Sequence, residues 1–173
     1  MLCVWSIGSK VEIMVKILIV SDTHRKDDGF WTVFRKEAPL DMLIHCGDSC
    51  GSEKNFKFRA NCECHFVNGN CDSIFGGNTE QIFEIGKHKV FLTHGHRYGV
   101  RSGEDELVSM AKAVGADIVM YGHTHIPMIK VVDGIYVVNP GSLGEPRQEN
   151  KTPSYIIMTI DDEQNVNFEL KYI

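Results

Sequence analysis

The sequence predicts an α/β domain built from a mixed β-sheet or from two stacked sheets, not a purely parallel doubly wound fold. Two observations predict it. Aliphatic runs of strand length alternate with helical segments through the first two thirds, whereas strands follow strands in the last third. The 173 residues suit one domain with its own core. We expect residues 15–173 to form this domain and residues 1–14 to be an extension without a motif, with Met14 a candidate for the natural start.

The early strands are predicted from continuous aliphatic runs that suggest burial on both faces. They are KILIVSD, DMLIHCGD, HFVNGN, KVFLTHG and DIVMYGH. Helices are predicted over 27–38 and 102–115, the second with Ser102 and Asp105 as a capping box and Gly115 at its end. Two hairpins follow, one turning at Asp133-Gly134 and one within 153–173.

Composition and charge narrow the functional class. The chain is 43% hydrophobic and 24% charged without low-complexity tracts, as in globular proteins. Its net charge of -5 is the wrong sign for holding nucleic acid by long-range attraction, and there is no strong membrane signal. Six cysteines without a secretory signal predict reduced thiols in the cytoplasm. Cys62, Cys64 and His65 could form half of a zinc knuckle, but semi-buried thiols are the preferred interpretation.

Polar residues of metal-ligand type follow five successive strands. Taken alone, an Asp-x-His or Gly-Asp is commonly a turn, and a single histidine is commonly a core residue. Five such strand ends together favour a metal centre, because ligands bind where the carboxyl ends of strands converge. Seven groups are too many for one ion and suit two ions that share a carboxylate. The candidates are Asp22, His24, Asp48, Asn70, His94, His123 and His125.

The stretch MYGHTH shows how one loop could supply two ligands. If the segment is extended, His123 and His125 point to the same side and each can serve a different ion. Gly122 would let the backbone approach closely.

The motifs SDTH, HCGD, VNGNCD, THGH and YGHTH, in this order and followed by NPGS, resemble those of the calcineurin-like metallophosphoesterase superfamily. They are most similar to its small bacterial and archaeal (YfcE-type) phosphodiesterase branch, from about Val15 onward. The resemblance implies a four-layer α-β-β-α sandwich of two mixed sheets flanked by helices. It also implies hydrolysis of a phosphoester, most simply a diester, by a hydroxide held between two divalent metals.

The resemblance implies a ligand assignment and a cofactor. It assigns Asp22, His24 and His125 to one ion, Asn70, His94 and His123 to the other, and Asp48 to both. Manganese is expected first; zinc, iron, cobalt and nickel also suit imidazole and carboxylate ligands. The expected partner is a small phosphoester substrate, and the oligomeric state is left open, a homo-oligomer included. The alternative is a non-catalytic protein-interaction scaffold with this fold, like the small retromer subunit; a nuclease is disfavoured by the charge.

Two departures from the wider superfamily concern catalysis. Cys71 stands where a histidine is thought to assist the leaving group, and a thiol is a poor general acid. His96 is then the candidate acid, with an exposed loop histidine as the alternative, and Gly51 stands where an acidic residue supports the site. Asn70 and Arg147 are candidate phosphate-binding residues, although a surface arginine is the ordinary interpretation; residues 139–142 could turn their amides toward the site.

Overall fold

The computed structural model describes residues 14–173, so the predicted extension over residues 1–14 lies almost wholly outside the described residues. Within that range the chain forms ten strands, three α-helices and one 3₁₀ turn. The strands are β1 (Val15–Val20), β2 (Met42–His45), β3 (Glu63–Phe66), β4 (Glu80–Ile85), β5 (His88–Thr93), β6 (Ile118–Met120), β7 (Pro127–Val132), β8 (Ile135–Pro140), β9 (Ser154–Ile160) and β10 (Val166–Tyr172). The helices are α1 (Asp27–Glu37), α2 (Glu53–Ala60) and α3 (Asp105–Val114), and the 3₁₀ turn spans His96–Tyr98.

The strands form two mixed sheets of five strands each. The first has the order β10-β9-β1-β2-β3, with β1, β2 and β3 parallel and β9 and β10 antiparallel to their neighbours. The second has the order β4-β5-β6-β8-β7, with β5, β6 and β8 parallel. The last third does form the two predicted hairpins, because β7 pairs with β8 and β9 with β10 in antiparallel fashion.

Strand β1 shows how the layers are built from its aliphatic run. Ile17 and Ile19 point into the core between the two sheets, and Leu18 and Val20 point outward against α1 and α2. Helix α3 covers the outer face of the second sheet, where Leu107 packs in a third core cluster. The four-layer α-β-β-α sandwich is therefore confirmed, and burial on both faces explains why β1 carries no polar alternation.

The helices agree with the sequence predictions only in part. Helix α3 ends at Gly115 in the left-handed conformation, as predicted. The capping box is wrong, because the helix begins at Asp105 after Glu104, and Ser102 lies in the preceding turn with its N–H donating to the Gly99 carbonyl. Helix α2 was not predicted; its short and polar sequence buries only Phe56 and Ala60.

The topology brings the candidate residues to one edge. The loops after β1, β2, β3, β5 and β6 leave the carboxyl ends of strands that run parallel within each sheet. All the proposed ligands lie in these five loops. In the part of the chain that the structure describes, no helix is long and apolar enough to cross a membrane.

Candidate metal centre

Four of the proposed ligands form a buried floor. Asp22, Asp48, His94 and His125 are each at most 2% exposed. Nε2 of His125 lies 3.0 Å from Oδ1 of Asp22, and Nε2 of His94 lies 3.4 Å from Oδ2 of Asp48. His24 closes one side, with its Nε2 3.7 Å from Asp22 and 3.8 Å from Asp48. Residues far apart in the chain therefore direct nitrogen and oxygen atoms at a common space.

Hydrogen bonds from the outer ring nitrogens orient two of these imidazoles. Nδ1 of His94 donates to the Cys46 carbonyl at 2.8 Å, and Nδ1 of His125 donates to the Glu145 carbonyl at 2.6 Å. In the neutral ring, a proton on Nδ1 leaves a lone pair on Nε2. Both Nε2 atoms therefore present lone pairs to the carboxylates, as histidine ligands of metals do.

Two of these ligand atoms receive no hydrogen bond. Asp22 Oδ1 and His94 Nε2 are buried without a hydrogen-bond partner, and the close His125–Asp22 pair is not in hydrogen-bonding geometry. The Nε2 atoms of His24 and His125 are 3.4 Å apart. Buried lone pairs that face one another are unfavourable unless a proton or a cation lies among them. The set of imidazoles and carboxylates fits divalent transition metals.

Three overlapping groups of side chains could hold a metal. They are Asp22, His24 and His125; Asp22, Asp48 and His94; and, with two thiols, His24, Cys50 and Cys71. The first is the same set that the family resemblance implies for one ion. The second adds a feature that the sequence did not predict, since Asp22 belongs to both groups, whereas Asp48, which the resemblance implies for both ions, belongs to one.

The carboxylates and imidazoles shift one another's pKa values. Burial opposes ionisation of Asp22, but the neighbouring imidazoles of His125 and His24 outweigh it and hold its pKa well below its usual range. Burial likewise opposes ionisation of Asp48, yet His94 lowers its pKa to about 2. Conversely, the neighbouring Asp22 carboxylate raises the pKa of His24, although burial opposes this.

Left-handed backbone conformations aim the ligands. Asp22, His24, Asp48, His123 and His125 all have positive φ, between 46° and 65°. Such residues are uncommon outside glycine and cost about 1 kcal/mol or more each, so they cluster where function requires them. The extended conformation assumed for the loop that carries His123 and His125 is therefore wrong. Strand β6 ends at Met120, and two left-handed residues, rather than strand alternation, direct His123 and His125.

Two glycines allow the loops to approach closely. A Cβ on Gly122 would lie 2.0 Å from Ser21 Oγ and 2.7 Å from Asp22 Oδ2, and a Cβ on Gly69 would lie 2.0 Å from Asp48 Oδ1. The expected close approach at Gly122 is thus present. Neither position has space for a side chain.

The remaining candidates surround this floor as a more open rim. The ring of His123 is 5.2 Å from that of His94, and the ring of His96 is 5.4 Å from that of His94. Asn70 is exposed, and its Nδ2 contacts the Cys71 sulfur at 3.4 Å. His96 is half-buried, with an Nδ1 that has no partner, so it is not a fully exposed loop histidine.

Cys71 lies close to the Asp48 carboxylate. Its N–H donates to Asp48 Oδ1 at 2.8 Å, and burial and the charge of Asp48 raise the pKa of its thiol to about 12. Cys50 contacts Nδ1 of His24 at 3.5 Å, which places a second thiol at the rim. A thiol with so high a pKa is a weak proton donor, which agrees with the expectation for the GNCD departure.

Sequence reasoning missed Asp72, the last residue of GNCD. This buried carboxylate accepts hydrogen bonds from the backbone N–H groups of Cys50 at 2.6 Å and Gly69 at 2.9 Å, and from Ser49 at 3.3 Å. It thereby joins the loop that carries Asp48 to the loop that carries Asn70. Its support reaches the backbone beside Gly51, the position where the wider superfamily has an acidic residue. The sequence did contain a signal for Asp72, because this carboxylate directly follows Cys71 in the GNCD motif.

Residues 139–142 brace the site from behind. The Asn139 amide donates to the Gly122 carbonyl at 2.9 Å, and the Ser142 hydroxyl donates to the Asp22 carbonyl at 2.8 Å. The Gly141 N–H donates to the Asn139 side chain. The segment supports the loops that carry Asp22 and His123 through these two side chains.

The zinc alternative at Cys62, Cys64 and His65 gains no support. Among residues 14–173, neither Cys62 nor Cys64 belongs to a group that could hold a metal. His65 contacts Gln81 and Glu63 at 3.0 Å. The described cysteines are free thiols.

Comparison with known proteins identifies the family. The family model for the calcineurin-like phosphoesterase superfamily domain matches residues 15–163. The chain belongs to this superfamily. Its motif order and its two-sheet fold agree with that membership.

Three relatives illustrate the range of the superfamily. The chain is 34% identical to the probable metallophosphoesterase YsnB of Bacillus subtilis, covering 86% of each chain. It is 32% identical to the phosphodiesterase MJ0936 of Methanocaldococcus jannaschii, covering 73% of this chain and 83% of that one. A crystal structure of a Vps29 single mutant from Entamoeba histolytica superposes with a TM-score of 0.72 at 25% identity, covering 92% of this chain and 99% of that one.

Proposed function

We propose that this protein is a metal-dependent phosphodiesterase that acts on a small phosphoester at a dinuclear site. The observation that carries the proposal is the convergence of buried lone pairs at Asp22 and His94, which no hydrogen-bond donor satisfies. Two divalent ions in the overlapping ligand groups would neutralise this space, and manganese is our first expectation. The names of YsnB and MJ0936 as metallophosphoesterase and phosphodiesterase support the reaction class.

The chain's own residues have distinct roles in this proposal. We assign the metals to Asp22, His24, Asp48, Asn70, His94, His123 and His125. Bound ions would activate water and neutralise phosphoryl oxygens, as paired metals do in other phosphoesterases. Asp48 and Asp22 would hold the pair together, Asn70 at the rim would also orient the phosphate, and His94 and His125 would be kept in the ligating tautomer by their carbonyl partners.

Leaving-group assistance would be weak in this enzyme. Cys71 stands next to Asp48 but its thiol is a poor acid, and burial and the neighbouring His94 lower the pKa of His96. A diester carries one negative charge and an aryl leaving group departs without a proton, so aryl diesters need the least help. We expect rates to depend steeply on leaving-group pKa in the wild type.

A leaving-group series tests this part of the proposal. Cys71→His should raise rates for diesters with poor leaving groups by roughly 10²-fold at best, the low end of general acid catalysis. His96→Ala should steepen the dependence further if His96 supplies the residual proton. If the rate depends equally steeply on leaving-group pKa in the wild type and both variants, neither Cys71 nor His96 takes part in protonating the leaving group.

The scaffold alternative is weaker. The similarity to Vps29 concerns the fold. A scaffold has no need for buried ligands aimed at one another, because each unsatisfied group lowers stability. All seven positions for which the resemblance implies ligands carry a nitrogen or oxygen group in this sequence, which favours the enzyme.

The decisive experiment combines metal analysis with turnover. The metal-free protein should bind two equivalents of Mn²⁺ and then hydrolyse bis(4-nitrophenyl) phosphate. Asp48→Asn should lower both metal binding and turnover by more than the roughly 100-fold that loss of an outer partner costs. Glu37→Gln, which removes a buried carboxylate elsewhere, is the matched control and should keep both. A binding stoichiometry and a rate unchanged by Asp48→Asn would refute the dinuclear assignment.

A further inference from the structure

A cavity of about 470 Å³ opens beside the metal centre on the side of the second sheet. Its size is in the range of small-molecule sites. Residues after β5, at the end of β6 and on β7, together with the loop after β8, form its wall. The lining residues are Val100, Arg101, Glu104, Tyr121, Thr124, Ile126, Met128 and Arg147.

The cavity adjoins the ligand loops directly. Thr124, which lines it, is the residue between His123 and His125. The Arg147 N–H donates to the His125 carbonyl at 3.1 Å. Arg101 lines the same cavity as Thr124 and Arg147. A phosphoester bound at the metals could therefore extend into the cavity.

One wall of the cavity is apolar. Val100 and Tyr121 are buried at its base, Met128 is half-buried, and Ile126 is 48% exposed. A half-exposed isoleucine beside a methionine offers a flat apolar surface to a ring. The wall thus favours an organic substituent over a bare phosphate.

The charges of the cavity do not cancel. Glu104 is already engaged, because it accepts hydrogen bonds from Tyr121 Oη at 2.9 Å and from Lys130 Nζ at 2.7 Å. Arg101 and Arg147, by contrast, line the cavity as exposed residues. In a chain of net charge -5, two exposed arginines at one rim form a local cationic site.

We propose that this cavity binds the organic substituent of the substrate, a ring-containing group that carries a second anionic group held by Arg101 and Arg147. The inference rests on the proposed phosphodiesterase function and adds its substrate class. It assigns a role to Arg101, which belongs to no motif. It also assigns Arg147 to the second anionic group, whereas the sequence analysis made Arg147 a candidate for binding the reacting phosphate. The reacting phosphodiester lies at the metals, the ring lies on Ile126 and Met128, and the second anion lies between the arginines.

The test uses three diesters with one leaving group. They are methyl 4-nitrophenyl phosphate, thymidine 5′-(4-nitrophenyl phosphate) and its 3′-phosphorylated form. Because the leaving group is constant, differences in kcat/KM report the substituent. We expect the order methyl, then thymidine, then the 3′-phosphorylated ester as the best substrate.

Matched variants assign the effect. Arg101→Ala and Arg147→Ala should each lower the preference for the 3′-phosphorylated ester over the thymidine ester by about tenfold, a typical value for a hydrogen bond to a charged group. Arg35→Ala, which removes an exposed arginine from α1, should leave the preference unchanged. Equal kcat/KM for all three esters, or equal preferences in all variants, would overturn the inference while the phosphodiesterase stands.

A binding measurement separates this inference from the proposed function. Thymidine 3′-phosphate, which has no phosphate for the metal position, should bind the metal-free protein in calorimetry, and Arg101→Ala should weaken that binding by about tenfold. If no ester is hydrolysed at any metal loading but this binding and its loss are observed, the phosphodiesterase is wrong and the cavity is a binding site. If hydrolysis occurs without such binding or preference, the cavity assignment is wrong.

Discussion

Two buried carboxylates near opposite ends of β1 have opposite environments. Glu37, at the end of α1, is 4% exposed and is surrounded by donors. Tyr155 donates to it at 2.8 Å, and the ammonium groups of Lys16 and Lys171 lie at 3.1 and 3.3 Å. Asp22, in the loop after β1, is fully buried and faces imidazoles, and its Oδ1 has no donor.

The difference separates a structural charge from a functional one. A buried charge is tolerated when the chain supplies its counter-charge, as at Glu37. At Asp22 and Asp48 neutral groups donate to one oxygen of each carboxylate, and imidazoles face the other oxygen. No lysine or arginine pairs with them among the described residues, so we propose that metal ions supply the counter-charge. Desolvation alone therefore does not distinguish the two sites, whereas the chemistry of the neighbours does.

Exchanging the two carboxylates for amides is the strongest way to break this comparison. Asp22→Asn should reduce turnover and metal affinity more than 100-fold. Because the pKa of Asp22 is lowered in the folded protein, the substitution should also lower the stability of the metal-free protein at neutral pH. Glu37→Gln should leave turnover unchanged and lower the free energy of unfolding by about 1–3 kcal/mol. Metal titration and urea unfolding measure both; a loss of turnover in Glu37→Gln comparable to that in Asp22→Asn would invalidate the distinction.

A substitution behind Asp22 tests whether the close approach of its loop matters. Gly122→Ala forces a Cβ to within 2.0 Å of Ser21 Oγ, so the loops must separate, and metal affinity should fall about 10–100-fold. The control is Gly29→Ala in α1, where the nearest atom is 3.8 Å away and helix propensity favours alanine. Affinity is measured per folded molecule, so partial unfolding does not imitate the result. Unchanged metal affinity in Gly122→Ala would show that the loops can separate without displacing the metal ligands.

Metal-dependent stability sharpens the comparison further. A ligand that binds only the folded state stabilises it by about 2.7 kcal/mol at 100 times its Kd. Mn²⁺ at that level should stabilise the wild type and Glu37→Gln equally but should not stabilise Asp22→Asn. Urea unfolding with and without chelator measures this, and equal stabilisation of all three proteins would place the ion elsewhere.

The smallest expected effect is a pH dependence at Glu37. Burial opposes its ionisation, but Tyr155, Lys16 and Lys171 outweigh it and lower its pKa. Because the pKa is lower in the folded state, the carboxylate stabilises the fold above its unfolded pKa of about 4.3 and loses that contribution as the pH falls. The stability difference between the wild type and Glu37→Gln should therefore narrow between about pH 5 and pH 3. A constant difference would show that packing rather than charge explains Glu37.

Much of the fold could be predicted because local pattern and core agree. The aliphatic run of β1 is buried on both faces, and Asp133-Gly134 has positive φ at both residues, as a two-residue hairpin turn requires. Helix α2 could not be predicted, since its polar sequence buries only Phe56 and Ala60. The predicted capping box at Ser102 is wrong because Ser102 belongs to the preceding turn, in which its N–H donates to the Gly99 carbonyl.

The sequence by itself determined the chemistry of the centre: which nitrogen and oxygen groups follow which strands, in what order, and hence the superfamily. Tertiary structure alone decided how these groups meet. His24 and His125, 101 positions apart, face each other at 3.4 Å. Asp22 belongs to two ligand groups, and Arg101 and Arg147 line one cavity. The physical reason is that motifs record residue types along one chain direction, whereas the position of a lone pair or the counter-charge of a carboxylate depends on neighbours that only folding brings together.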